Sequence, residues 1–507
     1  MFVDKRLFIT RSVAAAALAA PLFAGPLLAV PALAAEATAE GARTLAGNIA
    51  AYVGQPAFDK GYVTVGADGD AYRIDLDLGR IVGAFAGDAI NLTVYENPWI
   101  RTMPVENGLW RVTDFVYPSL KVEFGSENGE PDFFEWRPEG QSADAVFDPE
   151  LGGFQSFRVR VDRTTTQQKM DGQESRTEES ETVVNGRDTR NVEGGFDSKA
   201  ELGVASYRQT MMTNGSPAYT LSLAPLRYDF EAIGMVLRPI DFLPIIAALS
   251  AEATDGTAEE AVSLKAELPT MLPGFRQITS VFTGENIVVE LPAGRATAES
   301  IRLGLDFPGA IPDARVAISM GSDGVALPAG VLPAWTTPLL PTGFDAELAL
   351  EDLDLDAPAR LLIDRADFNS DQPLDDGDFE AAGRVILPDG ALSIVLEPST
   401  VTGPLYTAAV EGRFTVSHDS MKPRREVKVE APPVVEGSAT IALTNLDGII
   451  AELQKAGDVP EVQQAIPALI FAKGLARNEG GRSVWEVDVA ANGSVSVNGQ
   501  MLVPPSR

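Results

Sequence analysis

The stretch YVTVGADGDAYRIDLDL, residues 62–78, decides how the chain is read. Tyr72, Ile74, Leu76 and Leu78 alternate with Arg73, Asp75 and Asp77, a period of two and not the 3.6 of a helix. The ADGD between the two halves is turn chemistry, because Asp and Gly accept the backbone angles a tight reversal needs. The stretch therefore predicts a β-hairpin with one apolar and one charged face.

The same alternation returns in FRVRV at Phe157, Val159 and Val161, and in YTLSL at Tyr219, Leu221 and Leu223. One-sided apolar strands are the pattern of an antiparallel sheet with one wet face. Further strands are expected at ITSVF, ENIVVEL, RLGLDF and RVAISM. DFEAAGRVILPDGALSIVLEP predicts another hairpin, turning at Pro388-Asp389-Gly390. Residues 163–201 carry almost no large apolar side chains. Their Thr content suits a long, two-sided-polar hairpin, with a flexible insert as the alternative. Helical spacing is confined to a few segments: ARTLAGNIAAYV at residues 42–53, a run from about Ile240, DAPARLLIDRA at residues 356–366, and two stretches near the C-terminus. The expected fold is mostly β with some α (α+β), as elongated antiparallel sheet with a few packed helices.

The N-terminus has its own logic. Lys5, Arg6 and Arg11 precede an uncharged, Ala- and Leu-rich run from Ser12 to Val30, and Ala32-Leu33-Ala34 supplies a small-x-small ending. That order predicts a secretory signal peptide cleaved after Ala34, and so a periplasmic protein. Pro21, Pro26 and Pro31 argue against a retained membrane helix. The expected organisation is a signal peptide at 1–34, a β-rich region at 35–240 and a β-rich region with helices at 241–507.

Composition excludes much. The chain of 507 residues has no Cys and one histidine, His418. Thiolate nucleophiles, disulfides and zinc–thiolate sites are impossible. A Ser–His–Asp triad would have to use His418, which lies in FTVSHDSMKPRR without a nucleophile-elbow context. The net charge of −32 becomes −34 once the leader's three bases and one acid are removed. A surface this acidic repels nucleic acid and anionic lipid.

One acidic stretch invites a metal. DFNSDQPLDDGD, residues 367–378, places Asp367, Asn369, Asp371, Asp375 and Asp378 at positions one, three, five, nine and twelve of a calcium-type loop. The helix-like spacing of DAPARLLIDRA precedes it. Gln372 stands where such a loop needs Gly, Pro373 fixes its own φ beside it, and the chain after Asp378 reads as a strand. The stretch is therefore expected to be an acidic helix-to-strand connection, with calcium as the only cofactor to consider.

The last seventy or so residues are the most regular. GSATIAL is a strand, LTNLDGIIAELQKAG a helix capped at Asn445 or Asp447 and closed at Gly457, and PEVQQAIPALIFAKGLAR a helix with Pro460 in its first turn and Pro467 inside. SVWEVDV and SVSV form a hairpin across Asn492-Gly493, and Asn498-Gly499 repeats the turn. This ending, with its PE-x-QQ helix and ANGSVSVNGQ, resembles the alphaproteobacterial envelope family known as domain of unknown function 2125. The resemblance extends more weakly back through LPTMLPGF and LPAGVLPAWTTPLLPTGF. It implies an exported, β-rich protein with no assigned activity, and it supplies no catalytic residues.

The functional expectation is a non-enzymatic envelope protein. It would be an interaction module, or a carrier with an apolar groove for a lipid-like ligand on strands such as Tyr72–Leu78. Its partner would be an envelope protein or that ligand, and not nucleic acid. The alternative is a hydrolase working by carboxylates, with or without calcium.

Overall fold

The computed structural model describes residues 37–86, 90–125, 131–170, 172–192, 194–213, 215–236, 265–266, 268–367, 374–417, 434–457 and 459–505. Residues 1–34, the run from Ile240 and His418 lie outside them. The chain divides into two compact units, Met1–Asp255 and Gly256–Arg507. Both are mostly strand, and every named strand pairing in them is antiparallel.

The first unit opens with helix α1 (Ala39–Val53), whose N-terminus is capped by the Thr38 hydroxyl accepting from the Gly41 N–H at 3.0 Å. The expected hairpin follows as β1 (Val63–Asp68) and β2 (Ala71–Leu76), turning at Gly69-Asp70. Leu78 has left the strand: Asp77 accepts from the Arg80 N–H and starts α2 (Leu78–Ala86). Four short strands come next, β3 (Ile90–Glu96), β4 (Trp99–Pro104), β5 (Trp110–Val116) and β6 (Ser119–Phe124). Four long ones succeed them: β7 (Asp132–Asp148), β8 (Gly153–Met170), β9 (Gln173–Arg190) and β10 (Phe196–Thr213). The Thr-rich segment at 163–201 is thus strand for most of its length. Two more strands, β11 (Ser216–Leu223) and β12 (Leu226–Met235), complete the unit.

The long strands share a transverse crease. Glu139 pairs with Arg163 and Gln141 with Val161, so Gly140 and Asp162 are left outside the ladder. Ser180 pairs with Ser206 and Thr182 with Val204, which leaves out Glu181 and Ala205 at the same level. One extra residue in each of four neighbours keeps the register on both sides while shifting every strand's inward set by one. Val159 and Val161 are accordingly buried before the line and Thr164 after it. Gly140 has φ +67° and Glu181 has φ +49°. A Cβ on Gly140 would stand 2.4 Å from the Asp162 carboxylate. The outer strands break at this level too. β5 and β6 follow each other along β7 with Pro118 between them, and β11 and β12 along β10 with Pro225 between them. Aligned bulges bend a sheet, and Pro is accepted where the ladder is already interrupted.

The core of this unit lies on the inner side of the sheet. Helix α1 seats Ala42, Leu45 and Ile49 against Tyr72, Trp110 and Phe147. Beside the crease, Phe115 and Tyr117 meet edge to face at 4.5 Å over Val159 and Val161. Burial there pushes the Tyr117 hydroxyl well above its ordinary range.

The second unit is an up-and-down meander. Its strands are β13 (Gln277–Leu291), β14 (Gly294–Pro308), β15 (Ala314–Asp323), β16 (Gly343–Leu353), β17 (Ala391–Thr402), β18 (Thr407–Ser417) and β19 (Val434–Thr444), each paired with the next. ITSVF and ENIVVEL are one strand, β13, irregular only at Asn286 with φ +51°. Pro398 sits at the register shift of β17, where no ladder bond is needed from it. After β19 come α5 (Leu446–Gln454) and α6 (Pro460–Leu475). β20 (Arg477–Glu479), β21 (Arg482–Val489), β22 (Val495–Val497) and β23 (Gln500–Val503) then close the chain. β21 pairs with β19 on one side and with β20 and β22 on the other. The connection from β16 to β17 holds two helices, α3 (Asp356–Arg365) and α4 (Asp376–Val385).

Helix α4 corrects two expectations. DFEAAGRVIL is not the first arm of a hairpin, and the acidic stretch does not lead from helix to strand. Asp375 and Asp378 form a reciprocal capping box: each side chain accepts from the other's backbone N–H, at 2.9 and 3.0 Å. That box starts a helix directly, and Pro388-Asp389-Gly390 only turns its end into β17.

Candidate functional site

The acidic stretch is part of a helical hairpin. Asp367 follows α3, Asp375 is the N-cap of α4 and Asp378 lies in its first turn. Asn369 and Asp371 lie outside the described residues. The Asp378 carboxylate accepts from the Asp375 N–H and from Arg365 at 3.1 Å, and these bonds hold it below the usual carboxylate range. Its oxygens serve the hairpin. Among the described residues no group of three or more acidic or histidine side chains gathers as a cation site.

The two faces of the second unit differ sharply. Residues directly opposite one another in adjacent strands share a face. On one face Arg315 of β15 reaches Glu347 at 2.8 Å, Glu397 at 3.0 Å and Glu351 at 3.3 Å, while Arg413 also bonds Glu351 and Arg302 bonds Asp345 at 2.6 Å. The bonds from Glu347 and Glu397 hold the Arg315 guanidinium still more firmly protonated. Under these long side chains Ala317, Ala349 and Val395 are buried in a row. This is the charged face.

The other face is apolar and open. Leu305 pairs with Ile318, Ile318 with Leu348 and Leu348 with Leu396, so the four form one row across β14 to β17. Leu303 pairs with Met320 in the next row. Leu303 is 53%, Leu305 40%, Ile318 and Met320 44%, and Leu348 47% exposed. Phe307, Phe344, Val435 and Ile441 extend the exposed set on the same face. Nine large apolar chains left open on one sheet face make a patch of several hundred Å², at or above the largest that soluble monomers usually show. At the far end Trp485 of β21 donates its indole N–H to the Ala472 carbonyl at 2.7 Å, so α6 lies over that edge. Ile470 and Phe471 of α6 are themselves exposed.

The first unit lacks an equivalent opening at the expected place. Tyr72, on the strand first read as a groove wall, is buried against Trp110 and packed under α1. That groove is therefore filled by the chain's own helix, and the open apolar face belongs to β14–β19. Alternation marks which side of a strand is apolar, but whether a helix covers it depends on contacts distant in sequence.

Three further groups were candidates. Asp188 is buried, and its desolvated carboxyl is pushed up, yet it accepts from the Phe154 N–H at 2.7 Å and closes the end of a hairpin. Glu179, also raised by burial, stands opposite Tyr207 and Thr164 in the ladder, with no second acid placed beside it there. On the outer side of the crease a shallow groove is lined by Glu181, Val183, Glu201 and Arg227, a mixed set without a dominant charge. No helix among the described residues is long and apolar enough to cross a membrane. Comparison of the chain with family models, with curated proteins and with solved structures finds no match.

Proposed function

We propose that this chain is an exported envelope protein without catalytic activity, and that it carries an apolar, acyl-type ligand on the open face of its second unit. The observation that carries the reading is the exposed row Leu305, Ile318 and Leu348 with its neighbours Leu303 and Met320. Leaving such a face in water forfeits roughly 25 cal/mol for each Å² that a ligand could cover. The basic, apolar and small-residue order of the first 34 residues supports export. The resemblance of the C-terminal segment to the envelope family is consistent with it. The absence of Cys removes the thiol nucleophile and the single histidine leaves one imidazole base, which favours binding over catalysis.

The test is mass spectrometry of organic extracts from protein purified out of its native envelope. The reading expects a lipid or fatty acid in near-stoichiometric amount. A polypeptide partner in its place, with no lipid, would make the chain an interaction module instead.

A further inference from the structure

We infer that the occupant of the open face is one extended acyl chain of a lipid without net charge, lying across the strands along Leu305, Ile318, Leu348 and Leu396. The inference rests on the carrier reading above and specifies its ligand.

Length is the first argument. The four residues are direct neighbours on successive strands. Strands lie about 4.8 Å apart, so three intervals span about 14 Å. An acyl tail fills about half of a hydrocarbon core roughly 30 Å thick, which is about 15 Å. The row is as long as one tail. Leu303 and Met320 flank it on one side and Phe307 on the other, two residues along their strands.

The ends of the row differ. Beyond Leu305 the next position is Ser280, whose hydroxyl offers a polar contact. Beyond Leu396 come Gly412 and then Ala439, where the side chains shrink. At Gly412 a Cβ would approach that of Ala439 to 2.9 Å, so the backbones leave little room for one. The headgroup end therefore belongs at β13 and β14, and the methyl end over β18.

Chemistry selects against other occupants. The exposed large side chains of this face are Leu, Ile, Met, Phe and Val, and include none of the Trp, Tyr or Arg anchors that dominate protein interfaces. The backbone groups of the inner strands are engaged in ladders on both sides, so a peptide cannot add there as a strand. A second copy would bring another net charge of −32, and an anionic lipid would meet the same repulsion. A zwitterionic lipid avoids both costs.

The experiment uses the full mature chain and two phospholipid probes, a phosphatidylcholine and a phosphatidylglycerol, each with a diazirine at the methyl end of one acyl chain. Photo-crosslinked peptides are mapped by mass spectrometry, and uptake is titrated. The expected result is saturable uptake, several-fold stronger for phosphatidylcholine, with adducts concentrated on β17 and β18. Leu348→Asp should lower uptake at least tenfold. Ser438→Asp, on the charged face, should leave it unchanged, with circular dichroism confirming that both variants fold. Saturable uptake with adducts elsewhere, with a preference for phosphatidylglycerol, or with indifference to Leu348→Asp overturns this inference and leaves the carrier reading standing. Absence of saturable uptake of either probe overturns the carrier reading as well.

Discussion

Replacing Glu181 by Gly should leave the first unit more stable than replacing it by Ala, although both delete the same charged side chain. Glu181 is an L-residue held at φ +49°, outside the ladder of the crease. Left-handed backbone costs an L-residue about 1–2 kcal/mol. Glycine escapes that cost but gives up about 0.5–1 kcal/mol of extra unfolded-state entropy. The ion pair that would be lost, Arg160 to Glu181 at 3.6 Å, joins two side chains that are each about half exposed, and such pairs contribute about 0–1 kcal/mol. Glu181→Ala removes the same ion pair and keeps the Cβ, so it isolates the backbone contribution. The Gly variant should therefore be about 0.5–1 kcal/mol more stable than the Ala variant. The assay is urea denaturation followed by hydrogen exchange on peptides from β8 to β10, which reads this unit separately from the other. A Gly variant equal to or less stable than the Ala variant would show that position 181 is not held left-handed, and the aligned crease would fall with it.

Four further outcomes are expected. Asp378→Asn should fray α4, because it weakens the capping box and the contact with Arg365, with faster amide exchange at residues 376–380 as the readout. In the unsubstituted chain, Asp378 titrates below the usual carboxylate range, so its contribution is complete above the unfolded pKa and is lost as pH falls through the lower folded value; protection of that turn should fail in acid, and protection unchanged down to pH 2 would refute the assignment. Millimolar calcium should raise the melting temperature no more than magnesium does, since Asp378 is engaged within the hairpin; a calcium-specific rise abolished by Asp367→Ala with Asp371→Ala would restore the metal reading. N-terminal sequencing of the mature protein should begin at Ala35, and an intact Met1 would remove the export argument.

Much of the fold was legible because its signals are local. The Val63–Leu76 hairpin, the turns at Asn492-Gly493 and Asn498-Gly499, and the Asn445 cap accepting from the Gly448 N–H each depend on a few adjacent residues. Helix α4 was missed for a physical reason. Its Asp-x-x-Asp capping box uses a shorter acid than the usual Glu, and Val385, Ile386 and Leu387 at its end suggest a strand. The crease could not be seen in any one strand, because one extra residue only interrupts an alternation. Four interruptions acquire meaning when β7 to β10 are laid side by side. The candidate site was half legible. Alternation in RLGLDF and RVAISM identifies the apolar side, while its openness depends on where α6 packs.

The central claim is that the apolar face of β14–β17 stays open in order to hold an acyl chain. Titration of the mature protein with an exchangeable fluorescent fatty acid tests it most directly, comparing the unsubstituted chain with Ile318→Asp combined with Leu348→Asp. The account predicts saturable binding at micromolar protein that the double variant loses while remaining folded. Binding of equal strength in the double variant, or no binding to the unsubstituted chain, would contradict it.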